Sequence, residues 1–257
     1  MKRCPILAAA LLAVAATALL SSVGIAQVLP LENHYKVYVA PGPPMFMPVT
    51  LHDQFGEFTV TDFYLERLAT PADKNGEGFV DSTAHQLWWR IQVPQPPRTV
   101  TVLDQFGGNV WTTGDAVYLL NPALKNVLPP YPPLPFRNHY LCYEALGPSV
   151  GMPVTLTDQF GTVQVFVFEA KLLCNPVEKT DPTGFVWPIV DPFPHLACYF
   201  IDDPRSYGIP VNAVDQFGSF NLDLLYSDCL CVPAIKEHTN PAEESTWGRI
   251  KALYGED

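Results

Sequence analysis

The tetrapeptide Asp-Gln-Phe-Gly occurs four times, beginning at Asp53, Asp104, Asp158 and Asp215. Each copy follows a histidine: His34, His85, His139 and His195, at separations of 19, 19, 19 and 20 residues. Each also precedes a Pro-x-x-Lys, at Pro71/Lys74, Pro122/Lys125, Pro176/Lys179 and Pro233/Lys236, with 18 residues from Asp to Pro and 21 from Asp to Lys every time. A register kept four times over defines a unit of about fifty residues, and a fixed period of that size marks a repeat architecture.

Within a unit the hydrophobic period is that of strands. In the third copy Val154-Thr155-Leu156-Thr157 alternates into the tetrapeptide, and Thr162-Val163-Gln164-Val165-Phe166-Val167-Phe168 leads out of it. Alternation broken by a glycine-containing turn is a hairpin signature. Asp53, Asp104, Asp158 and Asp215 suit the first turn position, where a carboxylate accepts a bond from the backbone two residues on. Gly56, Gly107, Gly161 and Gly218 suit the fourth, where a type I turn entering a bulge needs positive φ. With 27 prolines in 257 residues, long helices are disfavoured and short extended segments are expected.

The joints suggest how the units associate. Units one and two are linked through Gly78-Phe79-Val80 and units three and four through Gly184-Phe185-Val186. Between units two and three lies Leu128-Pro129-Pro130-Tyr131-Pro132-Pro133-Leu134-Pro135, which reads as a stiff polyproline-like spacer. The expectation is therefore an all-β chain of two tandem antiparallel sandwich- or barrel-like modules. Module one covers 33–126 (repeats 33–74 and 84–125) and module two covers 139–237 (repeats 139–179 and 195–236), with a linker over 127–138.

Flanking the repeats are two different segments. The chain opens Met1-Lys2-Arg3, continues with an apolar run from Ile6 to Leu20, and reaches small residues ending at Ala26. That pattern describes a secretory signal over 1–26, with an uncleaved anchor as the alternative, and places the chain in the envelope or outside the cell. No second apolar segment of spanning length follows, so no membrane span is expected after cleavage. In the tail, 238–257, Trp247, Ile250, Leu253 and Tyr254 share one side at helical spacing and suggest a short helix. The net charge of −11 argues against nucleic acid as a partner.

Aligned on the histidine and proline, Cys142 and Cys198 occupy one repeat position, and Cys174 and Cys231 another. The same positions hold Val37 and Ala69 in unit one, and Trp88 and Leu120 in unit two. Cysteines present together or absent together point to bridges Cys142–Cys174 and Cys198–Cys231, which an oxidising compartment permits. Cys229 is left over: a competitor for Cys198, a free or intermolecular thiol, or, less well supported by spacing, part of a zinc site.

These residues resemble an uncharacterised family of exported bacterial repeat proteins. The likeness rests on Asp73-Lys74-Asn75-Gly76-Glu77-Gly78 with Ala84-His85, on Leu172-Leu173-Cys174-Asn175-Pro176-Val177-Glu178-Lys179, and on His195-Leu196-Ala197-Cys198-Tyr199. It covers about 33–237 and implies tandem β units with a cysteine after the histidine and another before the proline; no catalytic residue carries over from it, and no cofactor or metal is expected.

The repeated histidines read as structural rather than as metal ligands or acid–base catalysts, because an enzyme rarely carries four equivalent catalytic histidines and repeated units hold them far apart. The turn aspartates lie in no calcium-loop pattern. Phe55, Phe106, Phe160 and Phe217 either pack into their units or form an exposed array for a protein or glycan. Trp88, Trp89 and Trp111, gathered in unit two, either fill space where the bridge is missing or form a sugar-binding face. No nucleophile, metalloprotease or phosphate-loop motif is present, so the chain is not expected to be an enzyme. The reading is a secreted or envelope structural or interaction protein, with a carbohydrate-binding module as the alternative.

Overall fold

The computed structural model describes residues 32–237. The expected export segment (1–26) and the expected tail helix lie outside them. Every unit is a short strand opening at its histidine, then a hairpin whose second arm runs on through Pro-x-x-Lys. Unit one comprises β1 (His34–Val39), β2 (Pro44–Asp53) and β3 (Gly56–Lys74), and unit two β4 (His85–Val93), β5 (Arg98–Asp104) and β6 (Gly107–Lys125). Unit three comprises β7 (His139–Leu146), β8 (Ser149–Asp158) and β9 (Gly161–Thr180), followed in the joint by β10 (Val186–Trp187). In unit four, β11 (His195–Ile201) and β12 (Ile209–Asp215) precede a second arm broken into β13 (Gly218–Leu224) and β14 (Ser227–Glu237).

The turn chemistry explains the hairpins. Asp and Gly of each tetrapeptide face each other as the last strand pair, as in Asp53↔Gly56 and Asp158↔Gly161. The four glycines take φ between +113° and +146°, a region closed to most side chains. The first half of each long arm alternates in burial, whereas its second half is buried continuously, as over Leu68–Ala72 and Leu172–Val177. Continuous burial means both faces are covered.

Pairing between units shows what covers them. The ladder β1–β3–β4–β6–β7–β9–β11–β14 returns to β1, every step antiparallel. Eight strands, two from each unit, thus close a ring with no free edge along this path. The inside of an eight-stranded ring is just wide enough to be filled by side chains. Here it holds a compact cluster to which all eight strands contribute, including Tyr35, Ala69, Trp88, Leu120, Cys142, Cys174, Cys198 and Cys231. One middle layer consists of four facing pairs: Val37↔Ala69, Trp88↔Leu120, Cys142↔Cys174 and Cys198↔Cys231. The last two pairs are disulfides. At one end Glu32 closes the ring, accepting from Tyr35 Oη at 2.9 Å and Tyr140 Oη at 3.1 Å, which belong to units one and three.

The hairpins pack on the other face of the ring, in a larger core that includes Leu51, Phe63, Trp89, Tyr143 and Leu230. Each hairpin tip pairs with the unit two places along: β2 with β9, β8 with β3, β5 with β14, and β12 with β6. The division into modules 33–126 and 139–237 is therefore corrected. Two units alone would leave open ring edges at β1 and β6, and β6–β7 and β14–β1 pairing closes them across the expected boundary. The 127–138 stretch is likewise docked rather than a free spacer. Tyr131 Oη meets Ser219 Oγ at 3.1 Å, and Arg137 pairs with Asp81.

Unit one lacks a bridge where its facing pair, Val37 and Ala69, is small and fully buried. The double variant Val37→Cys/Ala69→Cys should form a third disulfide and raise unfolding stability by roughly 3 kcal/mol under non-reducing conditions. Denaturant titration with and without reductant, alongside a thiol count unchanged from wild type, checks this.

Candidate functional site

The four turn aspartates are buried and do two jobs each. One carboxylate oxygen accepts the backbone N–H two residues on, at Phe55, Phe106, Phe160 and Phe217, over 2.7 to 2.9 Å. The other accepts from an aromatic side chain of the unit two places along. Asp53 takes Tyr143 Oη at 2.9 Å, Asp104 takes Tyr199 Oη at 2.5 Å, Asp158 takes Tyr38 Oη at 2.5 Å, and Asp215 takes Trp89 Nε1 at 2.8 Å. The donors all sit four residues after a repeat histidine. A second donor precedes the repeat proline in three units: Asn175 to Asp53, Thr70 to Asp158 and Asn121 to Asp215. Unit four has Val232 there, so Tyr199 is the one side-chain donor to Asp104 among the described residues. Burial raises the Asp104 and Asp215 carboxyls above the usual range, opposed by these donors.

Histidine, glutamine and lysine continue the pattern one unit along. His34 Nε2 lies 3.2 Å from Gln105 Oε1, and His195 Nε2 lies 2.8 Å from Gln54 Nε2. The amino groups of Lys74, Lys125, Lys179 and Lys236 stand over the rings of Phe106, Phe160, Phe217 and Phe55, at 6.0, 5.1, 4.9 and 3.9 Å from the ring centres. Burial lowers Lys179 and Lys236 to about 7. Burial also lowers all four histidines, His85 and His195 to about 4. They are neutral packing groups at neutral pH.

The turn phenylalanines do not form an exposed array. Phe55 is buried, Phe106, Phe160 and Phe217 pack against the main core, and each meets an aromatic edge-on or tilted: Tyr143, Tyr199, Tyr38 and Phe63. The indoles do not form a sugar-binding face. Trp88 and Trp89 are fully buried and Trp111 is 2% exposed. Trp88 fills the ring at the level where units three and four have bridges, with its ring 5.6 Å from Tyr118. Trp88 fills the ring interior, whereas Trp89, Trp111 and the turn phenylalanines fill the larger core between the ring and the hairpins.

A surface feature with the shape of a site lies at the ring end opposite Glu32, and no sequence pattern marked it. Arg67, two residues before the interior Ala69, lies across this end; its Nη2 is 3.1 Å from Asp228 Oδ2, Nη1 pairs with Oδ1, and Nε is 3.4 Å from Tyr118 Oη. Tyr118 donates to Glu66 at 2.9 Å, and Lys171 meets Asp228 at 3.2 Å. Burial pushes the Asp228 carboxyl up, but the Arg67 and Lys171 contacts outweigh it and hold the group below its ordinary value. Beside this network is a cleft of about 660 Å³, with Val117, Leu172, Tyr118, Phe200, Arg90 and Glu144 among its walls. A second ionic cluster joins units one and four. Lys36 Nζ lies 2.6 Å from Asp203, both side chains fully buried, and 2.6 Å from Tyr207 Oη. Among the described residues, one trio has metal-ligand spacing, Cys198, Cys229 and Cys231, and the bridge engages two of its three sulfurs.

Two outcomes follow from the locks. Tyr199→Phe should cost more stability than Tyr143→Phe, because Asp104 keeps no side-chain donor while Asp53 keeps Asn175; losses of roughly 3 and 1–2 kcal/mol by urea denaturation are expected. Stability should also depend on pH through two of the buried histidines. The folded chain binds protons at His85 and His195 only near pH 4, the unfolded chain near 6.5, so the contribution of these two histidines to stability is full above about 6.5 and falls as pH drops towards 4. Melting followed across that window should show the slope, and His195→Gln should flatten it.

Searches of curated proteins and of solved structures each return no significant match. The model of one family, described as a repeat of unknown function (DUF7450), matches residues 85–233, from the histidine of unit two to the proline of unit four. That match spans more than half of the chain and covers three of the four repeats that build the ring, so the chain belongs to the DUF7450 repeat family.

Proposed function

We propose that this chain is an exported structural or interaction protein, acting in the cell envelope or outside the cell as a rigid closed ring that presents partner-binding surface. The observation that carries the reading is the engagement of the repeated aspartates and lysines with aromatic side chains of other units. Aspartate, lysine and histidine recur four times, and the aspartates and lysines are turned inward onto other units in every copy. Residues arranged this way build a frame. The two interior disulfides support an oxidising compartment, and the signal-like opening of the chain gives a route to it.

The surface supports interaction rather than chemistry. Exposed ring pairs lie on the hairpin of unit one, Phe46 and Tyr64, and on that of unit three, Phe166 and Phe168. Sugar binding through Trp88, Trp89 and Trp111 is not retained, since buried indoles have no face to offer. Expression of the whole chain in a bacterium with an oxidising periplasm tests the compartment. The exported product should begin at Gln27 and contain two bridges and one thiol. A full-length product held in the cytoplasm with reduced cysteines would overturn the reading.

A further inference from the structure

We propose that Cys229 is an alternative partner for Cys198, so that the bridge of unit four exchanges between Cys198–Cys231 and Cys198–Cys229 inside the ring. Cys229 Sγ lies 4.0 Å from Cys231 Sγ, and the sulfurs of Cys198, Cys229 and Cys231 all lie within 4.8 Å of one another. The register explains the proximity. Cys198 faces Cys231 across β11 and β14, and Cys229, two residues earlier on β14, projects from the same face of that strand. All three belong to the interior cluster and are fully buried. The matching positions of the other units hold Arg67, Tyr118 and Leu172, so the third sulfur is particular to the unit whose bridge it adjoins.

The step balances without any outside reagent. The Cys229 thiol gives up its proton, and the thiolate attacks Cys198 Sγ. The Cys198–Cys229 bond forms as the Cys198–Cys231 bond breaks, the electron pair leaves on Cys231 Sγ, and that sulfur takes up the proton. One disulfide and one thiol exist before and after. Exchange of this kind proceeds at a rate set by the thiolate fraction and by access. Burial pushes the Cys229 thiol up to about 12; Lys171 and Arg67 pull it down, while Asp228 pushes it up. The exchange is therefore slow at neutral pH and faster in base, and unit four remains cross-linked in either form.

The exported, oxidised wild-type protein is the material for the test. It is held at neutral or alkaline pH, quenched in acid, unfolded, labelled with a maleimide and digested without reduction. Mass spectrometry then locates the label. The expected result is label on Cys229 alone at first, then on both Cys229 and Cys231 after alkaline incubation, with Cys198 always bridged. Label confined to Cys229 throughout, or appearing on Cys198, would overturn the proposal. The variant Cys231→Ser gives an independent reading: a Cys198–Cys229 bridge with no free thiol supports exchange, and two free thiols refute it. Because the wild-type arm needs no substitution, a Cys231→Ser chain that fails to fold leaves the decision with that arm.

Discussion

The bond from each turn aspartate to an aromatic donor two units away holds the architecture together. A carboxylate buried without partners costs far more than a turn can return, so each hairpin tip is stable only where a tyrosine or tryptophan of another unit meets it. Unit one depends on Tyr143 of unit three, and unit three on Tyr38 of unit one; units two and four are joined the same way through Trp89 and Tyr199. No unit contains both halves of its own lock. Hairpin pairing follows the same route, β2 to β9 and β8 to β3, so backbone and side chain enforce one arrangement.

Inside the ring, one layer is filled in three ways. Val37 faces Ala69, Trp88 faces Leu120, and two cysteine pairs are joined. Small sulfur-bearing and aliphatic pairs on three sides leave room for one indole on the fourth, a sharing of volume that close packing demands. The ring ends are closed by polar groups of opposite sign. Glu32 stands at one end beneath two tyrosines, and Arg67 crosses the other on Asp228 and Tyr118. The cleft beside Arg67 lies next to a filled interior.

Much of this was legible in the residues, and the rest was not for definite reasons. Turn chemistry is local, so Asp53 to Gly56 read as a hairpin without knowledge of anything else. The cysteine pairs were legible because Cys142 and Cys174 vary together within a unit of constant register. The partner of Asp53 was hidden because Tyr143 lies in another unit, and spacing within a unit carries no information about that. The halves were misjudged because similar joints, Gly78-Phe79-Val80 and Gly184-Phe185-Val186, favoured adjacent pairs, whereas ring closure uses every neighbour. Trp88 and Trp89 were ambiguous because their ring type suits both a core and a binding face. Lys36 with Asp203, and Arg67 with Asp228, occur once each and leave no repeating trace.

By itself the sequence determined the repeat, the strands and turns of each unit, and which cysteines correspond, because these depend on contacts within about fifty residues. Only the tertiary structure decided that four units close one ring, that the hairpins lock across it, and that Trp88, Trp89 and Trp111 are buried. Those outcomes depend on burying both faces of every long strand. That condition is met only when all four units are present together.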